Sequence, residues 1–295
     1  MNKIYEKNEL NFALIWIGIY VVLLSVSDSL SETIGTTKLV TAPVCILLTL
    51  VMYFWIRRNN LKAKYGLCPF EASPKTYLYF IPFLLLATTN IWWGVKMNLS
   101  VTESVLYVIS MLCVGFLEEV IFRGFLFKAL AKDNIKTAII ISSITFGFGH
   151  IVNLLNGSDI AETLLQVCYA VAIGFAFTIF FYSSKCLWPC IITHSVINSL
   201  SAFANRKNAP AWHGIASSLF LCVISLAYAA YILNRTKNGK EITVTDIPAC
   251  LVPSRKLNKP SVSVEQRAFH LSDFLIYILC LILRAIQNGL PFLPD

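Results

Sequence analysis

The chain has 295 residues, of which 57% are hydrophobic and 14% charged, and it carries a formal net charge of +8. No soluble single domain has that balance; a polytopic helical membrane protein does, because several apolar runs reach the ~20 residues that cross about 30 Å of hydrocarbon. The runs do not alternate polar and apolar residues, which excludes a transmembrane β-barrel, and the Lys and Arg residues cluster between runs as topology determinants, not as a nucleic-acid surface.

Residues 1–10 mix both charge signs, and the run over 12–30 lacks a small-residue cleavage site, so it reads as a retained first span. A second span covers about 39–56, with Pro43 near its start, and Arg57, Arg58, Lys62, Lys64 and Lys75 follow in one loop. The third, about 77–95, ends in Trp92 and Trp93, suited to the headgroup level. The fourth and fifth, about 103–130 and 137–155, flank a polar turn at 132–136. A short acidic loop with Asp159 and Glu162 leads to the sixth, about 164–182, and Lys185 marks its exit. The seventh starts near Trp188 and Pro189, proline being suited to a first helical turn, and the eighth covers about 214–233.

The expected fold is therefore an all-α bundle of eight transmembrane helices over residues 1–240. Residues 241–270, with Pro248, Pro253 and Pro260, read as a polar linker. The short hydrophobic run at 274–286 holds Arg284 and reads first as an interfacial helix, with a ninth span or a partner-binding helix as alternatives. With the amino terminus inside, alternate loops carry fourteen Lys and Arg on one side and only Lys38, Lys96, Arg206 and Lys207 on the other. That bias places both ends of the eight-span core in the cytoplasm. The nine cysteines lie mostly within apolar runs and show no metal-ligand spacing; Cys186 and Cys190, four apart, read as packing residues.

Six polar residues interrupt the spans: Glu118, Glu119 and Arg123 on the fourth, His150 on the fifth, His194 and Asn198 on the seventh. A charge at the bilayer centre costs on the order of 2.5 to 3.5 kcal/mol on the gentlest scale, so such residues line a protected interior and do a job there. Glu118 and His150 each lie sixteen positions from the centre of the 132–136 turn. At 1.5 Å per helical residue both sit roughly 20 to 24 Å from that turn, at equal depth, where carboxylate and imidazole meet. Glu119 and Arg123, at i and i+4, have the spacing and order of a helical ion pair, structural as readily as functional. Glu118 points about 100° away from Glu119 on a 3.6-residue helix and has no such fixed partner, the situation of a general base. A lone histidine in an apolar helix is usually a packing residue; two on different spans weaken that default. His194 and Asn198 share a helix face and offer donors to a developing oxyanion. Gly147 and Gly149 permit close helix approach. Ser195 faces away from its neighbour His194, so no serine nucleophile is expected.

EEVIFR at 118–123, FGFGH at 146–150 and HSVIN at 194–198 resemble the EExxxR, FxxxH and HxxxN motifs of the CPBP family of intramembrane proteases. That family includes the CAAX prenyl endopeptidases and bacteriocin self-immunity proteins. The resemblance implies an eight-helix core with its site inside the membrane, open to the cytoplasm and laterally to lipid. It implies that Glu118 with His150 activates water, that His194 with Asn198 forms the oxyanion hole, and that Glu119 and Arg123 shape the site. The substrate class implied is a membrane-associated peptide or lipid-modified protein tail. No cofactor is expected, a divalent metal such as zinc being the alternative; an HExxH signature is absent from the sequence. A non-catalytic immunity or scaffold protein and an ion-coupled transporter are the competing readings of the same buried polar residues.

Overall fold

The protein is described by a computed structural model covering residues 1–68, 76–154, 157–205, 210 and 212–237. The expected linker at 241–270 and the hydrophobic run at 274–286 lie outside the described residues. The described residues are built on helices, and the only strand-like pairing among them is an isolated antiparallel bridge between Val95 and Ala204.

The helices are α1 (Asn2–Lys7), α2 (Glu9–Ile34), α3 (Thr41–Arg58), α4 (Ile81–Thr88), α5 (Val101–Glu119), α6 (Lys128–Leu130), α7 (Ile135–Gly149), α8 (Ile160–Ser184), α9 (Trp188–Ser201) and α10 (His213–Lys237). Their starts follow from capping chemistry. Asn8 accepts from the Asn11 amide at 2.9 Å, Asn134 from those of Lys136 and Thr137 at 3.0 and 3.1 Å, and Asp159 from that of Glu162 at 3.0 Å. Ser100 and Glu103 form a reciprocal capping box that opens α5. The acidic loop read at Asp159 and Glu162 is thus the first turn of α8. α2 closes on Gly35, whose φ of 81° only glycine adopts without strain.

Among the described residues, six helical stretches are long and apolar enough to cross a membrane: Glu9–Ile34, Thr41–Arg58, Val101–Leu130, Ile135–Leu154, Ile160–Ser184 and His213–Thr236. The other two expected spans are shorter. Leu78–Ile91 is a short apolar helix broken by 3-10 turns, and α9 has 14 residues, about 21 Å at the helical rise. α9 stops where Asn198, Ser199 and Ser201 crowd its last turn, and it packs against α5 and α4.

α8 is the axis of the bundle, sandwiched between α7 and α10, with Phe175, Phe177, Phe180 and Phe181 wholly buried. α2 and α3 lie outside it and expose large apolar side chains, Val22 at 59% and Leu47 at 61% among them. An apolar outer surface around a core of this kind is stable only against lipid. The chain is an integral membrane protein.

Two glycines set the closest helix contacts. A methyl group on Gly147 would lie 2.8 Å from the Val171 amide nitrogen of α8, and one on Gly115 2.8 Å from that of Ser195 on α9. Gly149, expected to act like Gly147, has open space around it. Gly147→Val should therefore force α7 off α8 and destabilise the bundle by at least the ~1–3 kcal/mol of core overpacking. Thermal unfolding in detergent should show a clear loss for Gly147→Val and almost none for Gly149→Ala.

Candidate active site

The fourth expected span is one helical rod, but not a uniform one. After Glu119 it widens into a π-helical segment, Val120–Phe127, before closing through α6. Such segments shift the backbone hydrogen-bond register and recur at functional sites. Here Ser142 of α7 donates to the Phe122 carbonyl at 2.9 Å, and the whole segment, Arg123 included, is buried.

Glu119 and Arg123 form the expected pair, Nη1 to Oε1 at 3.0 Å with both side chains fully buried. The guanidinium rests on the Phe146 ring, its carbon 4.0 Å from the centroid. A third partner was not anticipated: the same Oε1 meets Nδ1 of His194 at 2.9 Å. A carboxylate only accepts hydrogen bonds, so the proton of that contact belongs to Nδ1. The imidazole is thereby held in one orientation, its Nε2 turned toward Glu118 Oε2 at 3.6 Å.

Glu118 has partners the sequence reading did not give it. Tyr20 of α2 donates its hydroxyl to Oε1 at 2.5 Å, and His194 stands at the other oxygen. Tyr20 lies in an ordinary apolar run with no spacing relation to the motifs, so no sequence signal marks it. Gln166 of α8 is equally unmarked: its amide nitrogen lies 3.3 Å from His150 Nδ1, and its oxygen accepts from Asn153 at 2.9 Å. Ser195 turns away as expected, its hydroxyl donating to the Leu112 carbonyl at 3.3 Å.

These side chains surround a cavity of about 780 Å³. Glu118, His150, His194 and Asn198 all line it, together with Tyr20 and Gln166, while Glu119 and Arg123 stand behind the wall. The equal-depth expectation for Glu118 and His150 thus ends in one shared space. Among the described residues, no three His, Cys, Asp or Glu side chains are grouped as donors for a metal ion.

Residues 100–200 match the model of a protein family described as type II CAAX prenyl endopeptidase Rce1-like. Over that segment the chain is similar to the Rce1-like family. All six polar residues singled out above fall within the matched segment, which runs from the capping box of α5 to the end of α9. No curated protein and no solved structure gives a match. The likeness to CAAX prenyl endopeptidases is confined to that segment, and the apolar helices around it are those of a membrane protein.

Within this segment Glu119 carries the structural load. It is wholly buried with two positively chargeable partners, and its second oxygen, Oε2, has no hydrogen-bond partner among the described residues. Arg123→Leu should leave a buried carboxylate beside His194 without its fixed cation and cost about 3–5 kcal/mol. Chemical unfolding in detergent checks this, and Glu119→Gln combined with Arg123→Leu should recover part of the loss.

Proposed function

We propose that the protein is an intramembrane endopeptidase that hydrolyses peptide bonds of membrane-associated or lipid-modified substrates by glutamate- and histidine-activated water. The observation that carries this is the convergence of Glu118, His150, His194 and Asn198, from three separate helices, on one cavity inside the bundle. The Rce1-like match, whose description is that of a prenyl endopeptidase, supports the same reading.

In this mechanism Glu118 takes a proton from a water molecule as its oxygen bonds to the scissile carbonyl carbon. Tyr20 and His194 hold the carboxylate still, so that one orientation of its lone pairs serves the reaction. His150, steadied by Gln166, shares the handling of that proton. The carbonyl oxygen becomes an oxyanion. Asn198 donates to it through its side-chain amide, and His194, when it carries both protons, through Nε2. The proton then passes to the amide nitrogen, the C–N bond breaks, and a carboxylic acid and an amine leave. No step passes through a metal. Donors held in a water-poor cavity are effective because the surroundings do not reorganise during the reaction.

Glu118→Gln and His150→Ala should each lower processing by about 10²–10⁴-fold, the range of a lost general acid or base. Asn198→Ala should lower it by about 10²–10³-fold, as for a single oxyanion donor. Mass spectrometry of membrane peptides that accumulate in a Glu118→Gln strain reads both the loss and the substrate; normal processing by the Glu118→Gln and His150→Ala variants would sink the proposal. A scaffold would keep its activity through those two changes, and an ion-coupled transporter would show pH-dependent flux in vesicles. Tyr20→Phe should lower kcat at unchanged KM and unchanged thermal stability, and processing should persist in the presence of a strong chelator.

A further inference from the structure

The cavity occupies one half of the bundle only, and that half can be identified from the chain's own alternation. Helices α2, α4, α7 and α9 run away from the end that holds the amino terminus, and α3, α5, α8 and α10 return to it. On α2 the lining runs from Ile17 to Asp28, on α7 and its extension from Thr145 to Asn153, and on α9 from His194 to Ser201. On α7 and α9 these are the later residues of an outgoing helix, and on α2 they span its middle. On α5 and the π-helical segment after it the lining runs from Tyr107 to Phe122, the middle of that span, and on α8 from Gln166 to Ile173, the earlier residues of a returning helix. Lys38, Asn90 and Ser158, from the connections at that same end, complete the wall.

The other half is closed. Phe12, Trp55, Tyr65 and Phe125 interlock there, with ring centroids of Phe12 and Tyr65 each 5.1 Å from Phe125, and Phe127 meets Phe181 at 6.1 Å. Tyr65 and Phe127 are 1% exposed, so this aromatic layer is tightly packed.

The two ends also differ in charge. The described residues at the closed end include Lys3, Lys7, Arg57, Arg58, Lys62, Lys64, Lys128, Lys132, Lys136, Lys185 and Arg235; those at the cavity end include Lys38 and Lys96. Lys38 is itself neutralised by Asp28 at 2.7 Å, and Thr41 donates to the same Asp28 oxygen at 2.5 Å. The end rich in Lys and Arg stays in the cytoplasm.

We infer that the cavity opens on the extracytoplasmic side of the membrane, so that its substrate is a peptide segment presented on that side, an exported or membrane-anchored precursor. This reverses the cytoplasmic opening that the family resemblance implied. It excludes a soluble cytoplasmic protein tail as the substrate, because such a tail meets the aromatic plug and not the mouth. The substrate half of the inference rests on the protease reading; the direction of opening does not.

The test is thiol labelling in sealed membranes of known sidedness, using a membrane-impermeant maleimide of high mass that adds one gel shift per labelled cysteine. Ser158→Cys reports the cavity mouth and Asp133→Cys, in the turn between α6 and α7, the opposite end; both positions are exposed and neither belongs to the proposed catalytic set. Burial pushes the Cys186 thiol up to about 11, so this cysteine adds no thiolate background at neutral pH. One additional shift over the unsubstituted chain is expected for Ser158→Cys from the extracytoplasmic side, and for Asp133→Cys only after permeabilisation. The reverse pattern would overturn the inference. Peptides that accumulate in the Glu118→Gln strain should be digested by protease added to that same outer face, and their protection would overturn the substrate assignment. Labelling reads access and not chemistry, so it fails or succeeds independently of the Glu118→Gln result.

Discussion

A single carboxylate oxygen, Oε1 of Glu119, joins the parts of this molecule that the lipid would otherwise keep apart. It lies 3.0 Å from the Arg123 guanidinium and 2.9 Å from His194, and so ties the π-helical segment of the fourth span to the short α9. Charged groups enter a bundle interior only when paired, and unpaired they cost several kcal/mol. That penalty is what gives the contact its specificity: an arrangement in which α9 slid by one residue would strand an acid and an imidazole in hydrocarbon-like surroundings.

Around that tie the division of labour between neighbouring acids becomes intelligible. Glu119 is fully buried and committed to partners, whereas Glu118, one residue earlier, reaches the cavity, where Tyr20 donates to it and His194 Nε2 stands 3.6 Å from its other oxygen. The two acids share a chemistry and differ in surroundings. The first orients an imidazole; the second is left with a lone pair facing open space. The close approach at Gly115 makes this possible, because α9 could not otherwise bring His194 within reach of both.

The asymmetry of the bundle follows from the same economy of space. Aromatic rings fill the end rich in Lys and Arg, and polar side chains surround an open volume of about 780 Å³ toward the other. Glu103 accepts from the Thr37 amide at 2.9 Å, and Asn98 donates to the carbonyls of Ala202 and Ala204 at 2.9 and 3.0 Å. These contacts brace the connections at the open end without filling the space between the helices.

The apolar runs and their lengths determined the helical membrane class, because a backbone in lipid must satisfy its own hydrogen bonds. Turn arithmetic also put Glu118 and His150 at one depth, since rise per residue is nearly constant in a helix. Motif spacing brought Glu119 to Arg123 for the same local reason. What sequence spacing does not encode is rotation of one helix against another. Tyr20 and Gln166 entered the site, His194 turned to Glu119, and Gly149 proved free while Gly147 was not, all through packing between helices distant in the chain. The π-helical segment and the shortness of α9 belong to the same class of outcome. Local periodicity says which residues can be helical, and only the shape of the neighbours decides where each face points and how far each helix runs.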